Sequence, residues 1–369
     1  MSLDAKMVAN NADDELMKSF LLEIDSSTKS NKHITKEKYH FVLFHFWKII
    51  ANTKFQTDVK SLTKIQLRLI RNEMQTMPRK DLVFHVKEKN GDLPYEPKSI
   101  INYFSVLSSY YEFLIEEKIL TENPTQNIRM PPITTKNVVF LTDTEIMNLV
   151  RDLTSKIDND RVDYYQEVLI MLLPLSTGLR VSEQSELNID AIDIKTGEVR
   201  ILGKGSKLRT SYIPTHDVLF MRIYEKFLEE RKKRLDHLIS ELSNKIDQLK
   251  HKNKDYAEFE ERREQILKNR SLFNNRNGDR LSTRDIQRRV KKYRELFQIE
   301  KHLTPHKLRH SFASKLVREN IDIFMIKELL GHTKITTTEI YLHANSDILQ
   351  AKMHEKKPFN FNFSDEKKS

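Results

Sequence analysis

Cysteine is absent from all 369 residues. Disulfides, thiolate metal sites and a cysteine nucleophile are therefore excluded, and the composition fits a reducing compartment. No apolar run approaches the roughly 20 residues that cross a bilayer. The opening MSLDAKMVANNADDELMKSF carries acids early and lacks an apolar signal core, so the cytoplasm is the expected location and no membrane partner is expected. Two motifs are also missing: GxxxxGK followed by Ser or Thr, and the zinc motif HExxH.

Charge is abundant instead. Lys and Arg number 63 against 53 acids, giving a net charge of +10 and a pI near 9.3. Hydrophobic residues make up 38% and charged residues 31%, the balance of a globular chain with much solvated helix surface. A basic excess favours a polyanionic partner, nucleic acid first, because each phosphate neutralised releases condensed counterions. Solubility is the plainer explanation of the same charge. The length suits two domains or three.

Residues 13 to 120 read as helices, with apolar positions at helical spacing in Ile100, Phe104, Leu107, Tyr111 and Leu114. Asn123-Pro124 and then Met130-Pro131-Pro132-Ile133-Thr134-Thr135-Lys136 break the pattern, which places a domain boundary near 130 to 137. Thr142, with Glu145 three residues on, has the capping-box pattern and opens a new helix. EVLIMLLPLSTGLR reads as an apolar helix ending in a turn, and VSEQSELN as the start of another.

From Ile189 the period changes to that of strands. Ile192 with Ile194, Glu198 to Leu202, and Leu208 to Ile213 are joined by Gly turns, which predicts a small antiparallel sheet. The fold class is therefore mainly α with a small antiparallel β-sheet (α+β). Residues 221 to 270 hold 14 basic and 11 acidic residues, with Leu228, Leu235, Leu242 and Leu249 seven apart, the pattern of a charged helical hairpin. Its leucines face the domain or another subunit, and the intramolecular seal is favoured. Residues 270 to 294 carry nine bases against two acids; a helix from about Ser282 sets Arg284, Arg288, Lys291 and Lys292 near one face, suited to a phosphate backbone.

Four short pieces carry chemistry, each with an ordinary alternative. TGLRVSE puts Arg180 at a helix start, where a guanidinium grips a phosphate with two parallel bonds, or simply pairs with Glu183. GKGSK puts Lys204 at a hairpin tip, as a reachable proton donor or a plain surface lysine. In HKLRHSF, His306 and Arg309 face one way on a helix started by Pro305, with His310 one turn on. That four-residue spacing also occurs in metal sites, but no third ligand pattern accompanies it. ELLGHTKITTTEIYLH ends a helix at Gly331-His332 and places Tyr341 nine residues later, where a tyrosine with apolar neighbours is usually core.

Two arginines, a lysine, two histidines and a tyrosine are what a metal-free attack on a phosphodiester needs. Arg180 in TGLRVSE, Lys204 in GKGSK, His306 and Arg309 in HKLR, His332 in LLGH and Tyr341 in IY resemble the active set of the tyrosine recombinases, in their Xer and integrase branch. The resemblance is strong from about 138 to 346, and weaker, in helix content only, before that.

The resemblance implies a two-domain clamp around duplex DNA. Residues 1 to 130 would form the helical DNA-binding domain, 131 to 137 the linker, 138 to 345 the catalytic domain and 346 to 369 a tail for docking between subunits. It implies Tyr341 as nucleophile, Arg180 and Arg309 on the phosphate oxygens with His332 assisting, His306 as base and Lys204 as acid. Glu183 would orient Arg180, and Lys207 and Arg209 join the basic helix as DNA contacts. No metal and no cofactor is implied. The expected partners are a specific duplex site and a homo-tetramer, two dimers in synapsis. Residues 221 to 270 are longer than the connector usual at that place in the family, which implies an added contact. Two other readings keep part of this picture: a type IB topoisomerase-like relaxing enzyme, and a catalytically silent DNA-binding regulator.

Overall fold

A computed structural model describes residues 11–27, 32–52, 58–82, 91–133, 140–155, 163–203, 208–299, 303–332 and 338. Contacts divide the chain into two compact units, Met1–Lys136 and Asn137–Ser369.

The first unit is helical: α1 (Asn11–Ser27), α2 (Lys32–Asn52), α3 (Lys64–Thr76), the short α4 (Arg79–Leu82) and α5 (Pro97–Glu116). Thr63 caps α3 through its side chain, and Gln66 returns a bond from its own side chain to the Thr63 N–H. Pro97 starts α5, where the missing N–H costs nothing. The α5 stripe of Ile100, Phe104, Leu107, Tyr111 and Leu114 is buried against Leu43, Phe46 and Ile50 of α2 and Leu67, Ile70 and Met74 of α3. Each such side chain contributes about 1.5–3 kcal/mol on burial. Tyr111 is buried whole, and its hydroxyl donates to the Val59 carbonyl at 2.6 Å.

The second unit is built around α7 (Tyr164–Thr177), preceded by α6 (Asp143–Ser155). The Thr142–Glu145 pair at the start of α6 exchanges its two bonds, Thr142 N–H to Glu145 at 2.7 Å and Glu145 N–H to Thr142 at 3.3 Å. Val168 to Leu173 of α7 are apolar and buried on every face, as a helix enclosed by neighbours requires. Gly178 ends α7 with φ of +65°, and a β-carbon there would lie 2.6 Å from Phe312 and 2.8 Å from Leu330. Only glycine permits both the left-handed turn and that close approach.

After α8 (Val181–Glu186) comes a three-stranded antiparallel sheet in the order β1 (Ile192–Asp193), β2 (Glu198–Leu202), β3 (Leu208–Tyr212). Val199 pairs with Ser211 and Ile201 with Arg209. Val199 and Ile201 are buried while Arg200 and Leu202 face out, the alternation of a half-covered sheet. The first strand is shorter than the sequence predicts. Ile194 sits in the turn, because Asp193 Oδ1 accepts from the Lys195 N–H at 2.8 Å and closes an Asx turn there.

The charged stretch folds as α9 (Val218–His251) packed against α10 (Ala257–Lys268). Leu235 and Ile246 are buried along it, Phe220, Tyr224, Phe227 and Leu228 seat its base on the core, and two arginines add polar anchors there. Arg234 donates to Asp163 Oδ1 at 2.6 Å, and Arg231 Nη2 donates to the Ser271 carbonyl at 2.9 Å. Helices α11 (Thr283–Leu296), α12 (Pro305–Arg318) and α13 (Ile323–Leu330) follow among the described residues. Among the described residues no helix is long and apolar enough to cross a membrane.

Candidate active site

Glu183, in the first turn of α8, is the hub. Its carboxylate is 4% exposed and accepts from three directions. The Arg180 N–H donates to Oε2 at 2.8 Å and Arg180 Nη1 to Oε1 at 2.7 Å. Arg209 Nη2 donates to Oε2 at 2.7 Å. Arg309 Nη1 lies 3.7 Å from the same oxygen. Burial alone would raise the Glu183 pKa, but the Arg209 charge, the Arg180 N–H and the Arg180 guanidinium outweigh it and hold the carboxyl below its ordinary value. One buried carboxylate among three guanidiniums leaves an excess of positive charge, the condition for receiving an anion.

The same arginines reach the end of α13. Arg209 donates from Nη1 to the Leu329 carbonyl. Arg309 donates to the Leu330 carbonyl at 2.6 Å and to the Gly178 carbonyl at 2.6 Å. Arg180 donates to the Gly331 carbonyl at 3.0 Å. These carbonyls have no partner inside their helix, and the helix end is negative, so three cations suit it. Gly331 caps the helix with φ of +61°, and a β-carbon there would lie 2.6 Å from Arg209 Cδ.

His332 follows directly. Arg309 Nη2 and His332 Nε2 are 2.9 Å apart, and an arginine only donates, so Nε2 accepts. Nδ1 then carries the proton and donates to Thr338 Oγ1, 2.9 Å away. Burial first, and then Arg309, Arg180, Arg209 and His310, lower the His332 pKa to about 4, so the ring is neutral at pH 7.

Thr304 caps α12 and Pro305 starts it, which places His306 and Arg309 three residues apart on the first turns. Arg309 is 3% exposed, whereas His306 is exposed. His306 lines a cleft of about 340 Å³ with Val181, Lys291, Arg294 and Thr304. His310 stacks on His306 at 6.1 Å; burial first, and then His306, Arg309 and Lys307, lower its pKa to about 4.

The fold thus brings Arg180, Glu183, Arg309 and His332 together from three segments, with His306 on the helix of Arg309. Lys204, Lys207 and Tyr341 lie outside the described residues. Arg284, Arg288, Lys291 and Lys292 are exposed on α11, where Arg288 bonds Asp285 at 2.6 Å and Lys291 lies 3.7 Å from Glu295. Arg209 departs from expectation. Its side chain is 9% exposed and bound to Glu183 and Leu329, so it faces the site's interior rather than a DNA surface.

The strand period held that signal. Ser211 and Ile213 are buried, and Arg209 shares their face at intervals of two. Thr338 is also buried and engaged, yet nothing in the sequence separates it from Thr336 and Thr337.

Residues 140–347 match the phage integrase family. A tyrosine recombinase of Agathobacter rectalis is 29% identical over 279 residues, 73% of this chain and 80% of that protein. The tyrosine recombinase XerD of Staphylococcus haemolyticus is 30% identical over 250 residues, 67% of this chain and 72% of that protein. The fold is that of XerH site-specific recombinase, solved bound to a palindromic difH substrate, with a TM-score of 0.61 at 19% identity over 88% of this chain and 80% of that one. With more than half its length matched and this arginine and histidine cluster within the match, the chain belongs to the phage integrase family, the tyrosine recombinases.

Proposed function

We propose that the protein is a site-specific DNA recombinase that cuts and rejoins strands through a covalent 3′-phosphotyrosine. The observation that carries this reading is the shared Glu183 carboxylate, which gathers Arg180 and Arg309 beside His332 and leaves the cluster short of negative charge. A scissile phosphodiester supplies that charge, and the excess grows as its oxygens gain electron density in the transition state.

In this mechanism Tyr341 attacks the phosphorus and the 5′ oxygen departs. Arg180 and Arg309 hold the non-bridging oxygens. When the phosphate takes the Arg309 donor, His332 Nε2 is released from accepting it. A ring protonated on Nε2 then donates to the phosphate, and Nδ1 accepts from the Thr338 hydroxyl, which serves either role. His306 takes the tyrosine proton, and Lys204 protonates the leaving oxygen. The phosphotyrosine conserves the bond energy, so the free 5′-hydroxyl of a partner strand reseals without ATP.

DNA is the partner, with the cation row Arg284, Arg288, Lys291 and Lys292 of α11 on its backbone together with Lys207. Residues before the linker form the second arm of the clamp, and two dimers synapse as a tetramer with the tail after 346 between subunits. Such a protein mobilises an element or resolves DNA multimers in the cytoplasm.

The test is covalent capture in EDTA on a pool of nicked suicide duplexes with a randomised core, resolved on a denaturing gel. The expected result is an adduct enriched for one site, present in wild type and lost in Tyr341→Phe, which still binds that site. Adducts on every sequence alike would instead indicate a relaxing enzyme, and no adduct on any duplex would leave a DNA-binding regulator. Dependence on a metal ion would sink the mechanism.

A further inference from the structure

Three successive carbonyls at the end of α13, those of Leu329, Leu330 and Gly331, accept from Arg209, Arg309 and Arg180 in turn. The same three arginines surround Glu183. Two of them hold the phosphate in the reaction proposed above. Arg209 is the third, and nothing in that reaction uses it.

Arg209 too ties separate parts of the site together. It stands on β3, the strand that comes next after Lys204 in the sequence, at the position paired with Ile201. One end of its fork holds Glu183, at 2.7 Å, and the other holds the last turn of α13. Its Cδ occupies the space that a side chain at position 331 would need. A rigid fork with two donors spans a carboxylate and a carbonyl that an ammonium reaches only one at a time.

We infer that Arg209 is a positioning residue for phosphate capture, an inference that rests on the recombinase reading. Arg209 shares the Glu183 carboxylate with Arg180 and fixes the turn that presents His332. Without it more of the Glu183 charge falls on Arg180, drawing that guanidinium inward, and the Leu329–His332 turn loses one of its three arginine anchors. Arg180 and His332 then meet the phosphate less well, while the exposed cations that bind the backbone elsewhere are untouched.

The experiment uses full-length Arg209→Lys and Arg209→Met on the duplex selected by covalent capture, made once with a normal scissile phosphate and once with a methylphosphonate there. The methylphosphonate has no negative charge for the arginines to hold. At saturating DNA both variants are expected to form adduct about tenfold or more slowly than wild type on the phosphodiester. Their Kd for the duplex should stay within about threefold of wild type. On the methylphosphonate the gap to wild type should shrink.

Wild-type rates in Arg209→Lys and Arg209→Met overturn the inference and leave the recombinase reading standing. An equal deficit on both substrates also overturns it, since that marks general damage rather than a weakened grip. A loss confined to Kd returns Arg209 to the DNA surface. If Arg209→Met does not fold, as circular dichroism would report, Arg209→Lys decides alone. No adduct from wild type overturns both readings.

Discussion

Arg309 donates from Nη2 to His332 Nε2 at 2.9 Å, and this single bond fixes which nitrogen of the histidine carries its proton. The ring's other nitrogen rests on Thr338 Oγ1, also at 2.9 Å. The neutral His332 is therefore held between a group that only donates and a hydroxyl that can reverse its role.

Thr338→Val removes that reversible partner while keeping the shape. Adduct formation is expected to fall about tenfold, in line with the loss of one buried hydrogen bond. Thr338→Ser should stay near wild type. Equal rates for Val and Ser in single-turnover cleavage would show that the hydroxyl does not support His332.

Gly331→Ala places a β-carbon 2.6 Å from Arg209 Cδ on a residue with φ of +61°. The left-handed backbone alone costs about 1–2 kcal/mol for a residue with a β-carbon. Urea unfolding should show at least that loss, and cleavage should fall as well, because the displaced arginine holds Glu183. A variant as stable and active as wild type would contradict the packing around Arg209.

Stability should depend on pH through two histidines. Burial and neighbouring cations lower His310 and His332 from 6.5 to about 4. The unfolded chain takes up those protons as pH drops below about 6.5, whereas the folded chain resists until about 4. Their contribution is complete above the unfolded value and disappears as pH falls through that window. Glu183, held below its ordinary 4.5, adds a further loss at still lower pH. His310→Gln should flatten the decline of Tm between pH 6.5 and 4 and leave the acid limb below it. An unchanged slope in scanning calorimetry would mean that His310 titrates normally.

Lys204→Ala should slow cleavage by about 10²- to 10⁴-fold on ordinary DNA. A 5′-sulfur leaving group needs no proton, so the variant should recover on that substrate. Without recovery, Lys204 is not the acid.

Much of the second unit was legible from local chemistry. Thr142 with Glu145, Ser282 with Asp285, and Pro305 after Thr304 mark helix starts, because unsatisfied N–H groups in the first turn need those partners wherever a helix begins. The Ile100 to Leu114 stripe fixed the buried face of α5 in the same way. The end of the first strand was less legible. Whether Ile194 pairs or turns depends on one Asx bond from Asp193, and its apolar character argued for pairing.

The sequence offered Arg180, His306, Arg309 and His332 in short motifs, each with an ordinary alternative, and their joint resemblance to the tyrosine recombinases is what gave them roles. Only the tertiary structure decided that one carboxylate serves three arginines and that Thr338 holds the histidine. Glu183, Arg309 and Leu329 come from separate elements, and a hydrogen bond between groups 120 or more residues apart leaves no periodic trace in the chain. The sequence determined which groups are available; packing determined which of them touch.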